Sequence, residues 1–456
     1  MARARRAVAL ALVLVVAGCA APAGAPTARP VVDNPDGRAD PADDPLGWEA
    51  GYWYDDPLSV NQSDGVDAAE RRALVARTMA RVERVRGLEF ESYVPVEVVS
   101  RETFAGGGDD DPSAARSAWV DQRWEAALLV GEDRNATELF DELYGDAVQG
   151  YYSPRREAIV LVSDGETPTV DRTTLAHELL HALQDQHFGL GGGGGTHDGE
   201  LAHDGLIEGD ARYTESLYER RCENGTWSCV PRPSDGASGS LPNGTFGLYV
   251  SVLTPYAEGP SLVHRARQRG GWDAVNAMYD DPPTTTEQLI HPEAYPEEGA
   301  ASVTVPDRST AAWSRFDLDR SGDRMGEATL FVMLWYQRTV DREALREDVD
   351  AYDTYSYAAD ASDGWAGDRL VPYRNGERTG YVWRIRWDDA GEAEAFADAY
   401  RRTLFLRLLA EEVRPGVYRV KEGPFADAFR VTVAGDTVTV VNAPTVAELD
   451  AVHGPA

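Results

Sequence analysis

Lysine is nearly absent from this chain, because Lys421 is the only lysine among its 44 Lys and Arg residues. Positive charge is scarce as well: 77 Asp and Glu residues leave a formal net charge of −33. Nucleic acids and anionic membrane surfaces would repel a chain with this charge. We therefore expect neither of them as a binding partner.

The same charge imbalance resembles the composition of proteins from extreme halophiles. In such proteins dense carboxylates keep the surface hydrated, and at molar salt a Debye length of ~3 Å screens their mutual repulsion. A GC-rich genome that encodes arginine in place of lysine is the alternative. It would explain the scarcity of lysine but not the acidity, so we favour the halophilic interpretation.

The apolar run near the N terminus is short. It extends from Ala7 to Ala17, which is too few residues for a permanent transmembrane helix. An arginine-rich start precedes it and the residues VAGC follow it, an arrangement typical of the signal peptide of an exported lipoprotein. We predict that residues 1–18 are a signal peptide, and that a lipid on Cys19 anchors the chain to the outer face of the cytoplasmic membrane.

Cysteine is rare, with three residues in the chain. Cys222 and Cys229 flank the hexapeptide ENGTWS, and in an exported protein such a pair indicates a small disulfide loop. Glycosylation tripeptides fit a surface glycoprotein, although their number could also arise by chance in this length. These tripeptides begin at Asn61, Asn135, Asn224 and Asn243.

The remaining chain has a globular composition, with 43% hydrophobic and 9% aromatic residues. We predict an α+β fold in which a flexible tether rich in Pro, Ala and Asp (19–64) follows the signal peptide. A mainly helical domain (65–365) contains a small sheet beside the helix that carries the motif described next. A C-terminal α+β subdomain (366–456) has a hairpin signal at Asn375-Gly376. This last part could also be the far side of the same domain.

The segment TTLAHELLHALQDQHF contains the pattern H-E-x-x-H, formed by His177, Glu178 and His181. On a helix, residues four apart lie on one face, so both imidazoles can reach one metal ion. Glu178 is offset by about 100°, where its carboxylate can contact a metal-bound water without being a ligand. Zn²⁺ is favoured because it accepts imidazole and carboxylate and can leave one position open. A pair of core or surface histidines remains the alternative to a metal site.

A third ligand must come from downstream of the motif, and His187 is the first candidate. Its spacing after His181 matches the metzincin pattern, but the glycine that turns the chain in that pattern is Gln184 here. The helix should therefore continue and carry His187 away from the ion. We prefer His187 as a packing residue near the site.

His203, Asp204 and Glu208 are the other candidates for the third ligand. We prefer Glu208, which would face the motif helix from a neighbouring helix, and Gly209 would permit the two backbones to approach closely. A set of two histidines and one glutamate is the ligand set of gluzincin metallopeptidases.

HELLHALQDQHF followed by EGDA resembles the gluzincin-type zinc metallopeptidases. With PPTTTEQLIHPEAY, MGEA and GWAGDRL, residues 65–445 are similar to a family of secreted, lipid-anchored surface proteins of haloarchaea and their bacterial relatives. The resemblance implies a zincin-like core in which His177, His181 and Glu208 bind zinc and Glu178 is the catalytic base. The chain departs from the gluzincin pattern at Arg212, where an aspartate is usual.

That departure affects how one motif histidine is oriented, and Asp210 is a candidate replacement for the missing carboxylate. Zinc would lower the pKa of its bound water, and Glu178 would transfer the proton to the leaving amine of a peptide. For the donor that stabilises the oxyanion, we consider His291, Tyr213 and Tyr295, and we predict that His291 is the second catalytic residue.

The apolar segment Ala158–Val162 is expected to be an edge strand next to the zinc, where it could pair with an extended peptide or protein substrate. The predicted function is therefore that of an extracytoplasmic zinc metallopeptidase. One alternative is a surface protein that retains the scaffold without catalysis. Another is a solute-receptor lipoprotein, which would require two similar α/β lobes.

Overall fold

The computed structural model describes residues 34, 37–105, 113–145, 148–165, 167–191, 193, 195–233, 241–318, 320–347, 349 and 351–455. The predicted signal peptide and Cys19 lie outside these residues. None of the described helices combines the length and the apolar character that crossing a membrane requires.

Helices and strands are both present, which confirms the predicted α+β class. The helices are α1 (Ala68–Arg86), α2 (Arg101–Ala105), α3 (Ala114–Ala126), α4 (Ala136–Gly145), α5 (Arg172–Phe188), α6 (His197–Glu223), α7 (Phe246–Val252), α8 (Thr254–Ala277), α9 (Glu287–Ile290), α10 (Gly326–Tyr336), α11 (Ala390–Leu406) and α12 (Leu449–Val452). The strands are β1 (Trp48–Glu49), β2 (Tyr52–Trp53), β3 (Val96–Val99), β4 (Gly150–Ser153), β5 (Ala158–Val162), β6 (Ser314–Arg315), β7 (Trp365–Asn375), β8 (Arg378–Trp387), β9 (Glu411–Arg414), β10 (Val417–Arg419), β11 (Ala428–Ala434) and β12 (Thr437–Ala443).

A three-stranded sheet in the order β3-β5-β4 packs beside α1, α5 and α6. β3 runs parallel to β5 with Val96 opposite Ile159, and β4 runs antiparallel to β5 with Tyr152 opposite Ile159. The prediction that Ala158–Val162 is an edge strand is wrong, because β5 lies between two partners. Its apolar run reflects burial on both faces, which is typical of a central strand.

A seven-stranded antiparallel sheet occupies the C-terminal region in the order β6-β7-β8-β12-β11-β10-β9. The hairpin predicted at Asn375-Gly376 is present, since β7 and β8 pair as far as Asn375 and Arg378, and Gly376 takes the positive φ that the turn needs. α3, α10 and α11 bury their apolar side chains against one face of this sheet. β6 begins at residue 314, well before the predicted boundary at 365.

The tether predicted over residues 19–64 is wrong in its last part. β1 and β2 form a hairpin whose Ala50 and Tyr52 are buried in the same apolar cluster as α1. The Gly47 backbone N–H also donates to Glu83 Oε2 at 2.8 Å. Because aromatic burial and this hydrogen bond fix the segment, the hairpin belongs to the folded body.

α6 and α8 approach each other closely where glycines meet. A Cβ on Gly209 would lie 2.5 Å from the backbone carbon of Gly259, and a Cβ on Gly259 would lie 2.1 Å from the carbonyl oxygen of Gly205. Gly209 therefore allows the approach of α8 and not, as expected, that of the motif helix. This crossing carries Tyr256, one turn before Gly259, to the middle of α6.

Candidate metal centre

α5 presents the motif residues from the inside of the molecule. Asp171 caps its N terminus by accepting hydrogen bonds from the backbone N–H groups of Thr173 and Thr174. Leucines bury the apolar face of the helix, whereas His177, Glu178 and His181 are only 5%, 1% and 0% exposed. Polar groups buried this deeply require partners.

Glu208 on α6 supplies the partner of both motif histidines. Its Oε2 lies 3.2 Å from His177 Nε2 and 3.4 Å from His181 Nε2, and the two Nε2 atoms are 3.1 Å apart. In a tetrahedral zinc site with ligand distances of 2.0–2.1 Å, ligand atoms lie about 3.3 Å from each other. The three atoms therefore have the mutual spacing of ligands to one such ion.

Glu178 has one fixed oxygen and one unpaired oxygen. Its Oε2 accepts the backbone N–H of Tyr152 on β4 at 2.8 Å, whereas its buried Oε1 has no hydrogen-bond partner among the described residues. Burial raises the pKa of this carboxyl, and the nearby charges of His177 and His181 oppose the rise. β4 is thus the strand that contacts the motif, and Oε1 remains available to accept a proton.

Both imidazoles are held through their Nδ1 atoms. His181 Nδ1 donates to Gln184 Oε1 at 2.8 Å, because the amide nitrogen of Gln184 donates to the carbonyl of Ile207 at 2.9 Å. His177 Nδ1 lies 3.3 Å from Glu215 Oε2. With each Nδ1 engaged in this way, each Nε2 faces Glu208 and is the atom that would bind a metal ion once deprotonated, as metal-binding imidazoles require.

Glu215 is the orienting carboxylate that sequence reasoning missed. It lies seven residues after Glu208, so two helical turns place both glutamates on one face of α6. Arg212, which stands where an aspartate was expected, donates to Glu215 Oε2 at 2.8 Å. Arg212 therefore does not prevent Glu215 from orienting His177.

Asp210 does not contact either motif histidine, contrary to the prediction. Both of its oxygens accept from Arg86 Nε at 2.9–3.0 Å in a fully buried ion pair. The hydroxyl of Tyr279 donates to Asp210 at 2.9 Å and accepts from Gln184 at 2.8 Å. Asp210 thus supports His181 only indirectly, through Tyr279 and Gln184.

Charge pairing inside the cluster of His177, His181 and Glu208 is strong. Burial alone would lower the pKa of His177, but hydrogen bonds to Glu208 and Glu215 outweigh burial and raise it to about 10. Burial alone would raise the pKa of Glu208, but the His181 charge and hydrogen bonds from both histidines hold it at about 2. A bound cation would take the place of the proton on His177, since metal ligands must be deprotonated.

Tyr256 on α8 is a second residue that the sequence did not reveal. Its hydroxyl is hydrogen-bonded to Glu208, and burial followed by the charge of Glu208 raises its pKa well above the ordinary value. The phenol therefore stays protonated and acts as a donor at the cluster. The glycine crossing of α6 and α8 brings it there.

The three oxyanion donors that the sequence suggested contact other residues. The hydroxyl of Tyr213 accepts from Arg267 at 2.9 Å, and that of Tyr295 donates to the carbonyl of Asp281 at 2.6 Å. His291 pairs with Glu327 and Asp363 and does not belong to the group formed by the motif residues. The structure does not bring any of the three to the cluster.

The other candidate ligands also lie outside the cluster. His187 Nε2 is 2.7 Å from the carbonyl of Glu89, and the His187 ring contacts Phe188. His203 has the neighbouring Asp204 as its ion-pair partner at 3.9 Å. Elsewhere on α6, Cys222 forms the predicted disulfide with Cys229.

Comparison with known proteins concerns the C-terminal region. A family model described as a domain of unknown function (DUF8575) matches residues 314–453, which include β6 to β12 and α10. The matched region does not contain the H-E-x-x-H motif or Glu208. No curated protein and no solved structure matches the chain.

Proposed function

We propose that the chain is a zinc-dependent metallopeptidase in which His177, His181 and Glu208 hold Zn²⁺ and Glu178 is the general base. The observation that carries the proposal is the set of ligand atoms 3.1–3.4 Å apart, beside which the buried Oε1 of Glu178 has no hydrogen-bond partner in the described part of the chain. Two imidazoles and one carboxylate are a donor set that suits zinc and leaves one position open.

A zinc ion in such a site supplies a water of lowered pKa and polarises the carbonyl under attack. Glu178 accepts the proton at Oε1 while its Oε2 stays bound to the Tyr152 N–H, and it then delivers the proton to the leaving amine. Tyr256 replaces His291 as the proposed donor to the developing oxyanion. Glu215 and Gln184 keep both imidazoles in the productive tautomer.

In this proposal β4, and not β5, is the edge strand that pairs with the substrate. The Tyr152 N–H points toward Glu178 and the Gln149 carbonyl accepts from Val162 of β5, so Gly150 and Tyr152 direct their backbone groups away from β5. An extended peptide or protein substrate can pair with Gly150 at this edge. Its scissile bond would then lie near Glu178.

Export and anchoring through Cys19 belong to the same proposal, which places the enzyme on the outer face of the cytoplasmic membrane. Of the alternatives, a scaffold without catalysis would fit a poorly oriented His177, whereas Arg212 donates to Glu215, which contacts that histidine. A solute receptor would need two similar α/β lobes, whereas the described chain combines a helical region with three sheets of two, three and seven strands.

The test compares the wild type with Glu178→Gln for cleavage of a peptide library and for bound zinc. Glu178→Gln should retain zinc and lose at least ~10²-fold in cleavage rate, the scale of general-base catalysis. Asp185→Asn is the matched control. It also removes a carboxylate of α5 that accepts a hydrogen bond from Tyr152, but from the Tyr152 hydroxyl at 2.8 Å and not from the backbone N–H. Full cleavage by Glu178→Gln would contradict the proposed mechanism.

A further inference from the structure

Three segments that resemble family markers meet at a second place in the fold. They are PPTTTEQLIHPEAY (282–295), MGEA (325–328) and GWAGDRL (364–370). His291 follows α9, Glu327 lies in the first turn of α10, and Asp363 immediately precedes the third segment. The proposed peptidase mechanism uses none of these residues.

The side chains of His291, Glu327 and Asp363 converge. His291 Nε2 lies 3.1 Å from Glu327 Oε1 and 3.7 Å from Asp363 Oδ1, and one ligand atom from each residue lies within 4.8 Å of the other two. Asp363 is exposed, so the cluster is open to solvent on its side. Open positions around a bound ion could therefore be filled by water.

Glu327 points to a missing partner. Its side chain is 0% exposed, and its Oε2 has no hydrogen-bond partner within the part of the chain that the structure describes. That oxygen belongs to the same carboxylate that accepts from His291. A buried carboxylate oxygen without a donor is costly, and a cation would satisfy it.

The charge around the cluster is strongly negative. Glu287 lies in α9 just before His291, and the charges of Glu287 and Glu327 act on each other. Asp198 and Asp363 add further negative charge at Glu327. A divalent cation would relieve this repulsion more fully than the single charge of His291 does.

Two buried carboxylates fix the segments that carry the cluster. Asp198 accepts from the hydroxyl of Thr286 at 2.6 Å, and that hydroxyl accepts the N–H of Ala328 at 3.2 Å. Asp368 accepts the backbone N–H groups of Met325 and Gly326 at 2.9–3.1 Å. The backbone that positions His291 and Glu327 is therefore preorganised.

We propose that His291, Glu327 and Asp363 form a second divalent-cation site, separate from the group of His177, His181 and Glu208. One imidazole with two carboxylates suits a transition-metal ion such as Zn²⁺ or Mn²⁺. The ion would tie α9 and α10 to the turn before β7, which is a structural role and does not depend on the peptidase proposal.

The experiment counts zinc in the full chain after metal removal, reloading with Zn²⁺ alone and removal of excess ion. The wild type should bind two ions, His291→Ala one, His181→Ala one, and the double variant none. Asp363→Ala changes an exposed side chain and should weaken only the second site, which covers the case in which His291→Ala fails to fold.

The matched control is Glu293→Ala, which removes an exposed carboxylate that acts on His291 through its charge but offers no ligand atom to the cluster. It should still bind two ions. A wild type that binds one ion, lost in His181→Ala but kept in both His291→Ala and Asp363→Ala, would overturn the second site and leave the first intact. A single ion that is lost in His291→Ala and Asp363→Ala but kept in His181→Ala would overturn the first site and leave the second intact.

Discussion

Replacing Glu215 by Gln tests how the proposed zinc site holds its histidine. Glu215 Oε2 lies 3.3 Å from His177 Nδ1 and 2.8 Å from Arg212 Nη1, and the Glu215 side chain is 16% exposed. Glutamine keeps an acceptor oxygen but removes the charge, so the imidazole loses basicity and Arg212 loses its ion-pair partner.

The size of the effect follows from that geometry. Changes to partners of metal-binding histidines cost 10–100-fold in metal affinity. Because 3.3 Å is longer than the usual N–H···O distance of about 2.9–3.0 Å, we expect the lower end of the range. The zinc dissociation constant should rise about tenfold, equivalent to about 1.4 kcal/mol.

Competition with a chromogenic chelator measures this change, in the His291→Ala background so that only one proposed site contributes. Glu219→Gln is the matched control, because Glu219 lies one turn further along α6 and pairs with Arg172 at 2.6 Å. It should leave zinc affinity unchanged. Equal affinity in Glu215→Gln and the parent, or an equal loss in both variants, would refute the assigned role of Glu215.

Three further changes test other parts of the structure. Tyr256→Phe should lower kcat about 10²–10³-fold with KM nearly unchanged, and an unchanged kcat would remove Tyr256 from catalysis. Gly209→Ala places a Cβ against the backbone of Gly259, so denaturant unfolding should show a loss of about 1–3 kcal/mol. Burial lowers the pKa of His197 to about 3 from its ordinary value of 6.5, so only the unfolded chain gains this proton as pH falls below 6.5. Between pH 7.5 and 5 the wild type should therefore lose about 2 kcal/mol more stability than His197→Gln, and equal losses would show that His197 is not buried as a neutral group.

The convergence of His177, His181 and Glu208 could be predicted from sequence because local rules decide most of it. Helical periodicity places the two histidines on one face, and a glycine-rich link returns the chain in a second helix. The cap at Asp171 and the turn at Gly376 follow from side-chain and backbone preferences in the same way. The cap and the turn depend on residues close in the chain, and the convergence depends on two consecutive helices joined by a short link.

The errors concern contacts between distant segments. The apolar residues of β5 indicate a buried strand but do not reveal β3, which comes much earlier in the chain, as its parallel partner, so β5 was expected to be an edge strand. Gly209 indicates close packing of two backbones but does not reveal that α8 is the partner helix. Glu215 is the exception, because its spacing of seven residues from Glu208 was a readable signal on one helix face.

The central claim is that three side chains from α5 and α6 hold one zinc ion beside Glu178. Anomalous X-ray diffraction at the zinc absorption edge tests it most directly, on crystals of the Zn²⁺-loaded full chain. We predict an anomalous peak about 2.0–2.2 Å from His177 Nε2, His181 Nε2 and Glu208 Oε2, with Glu178 Oε1 facing the open position. Zinc-loaded crystals without a peak between these three atoms would contradict the account.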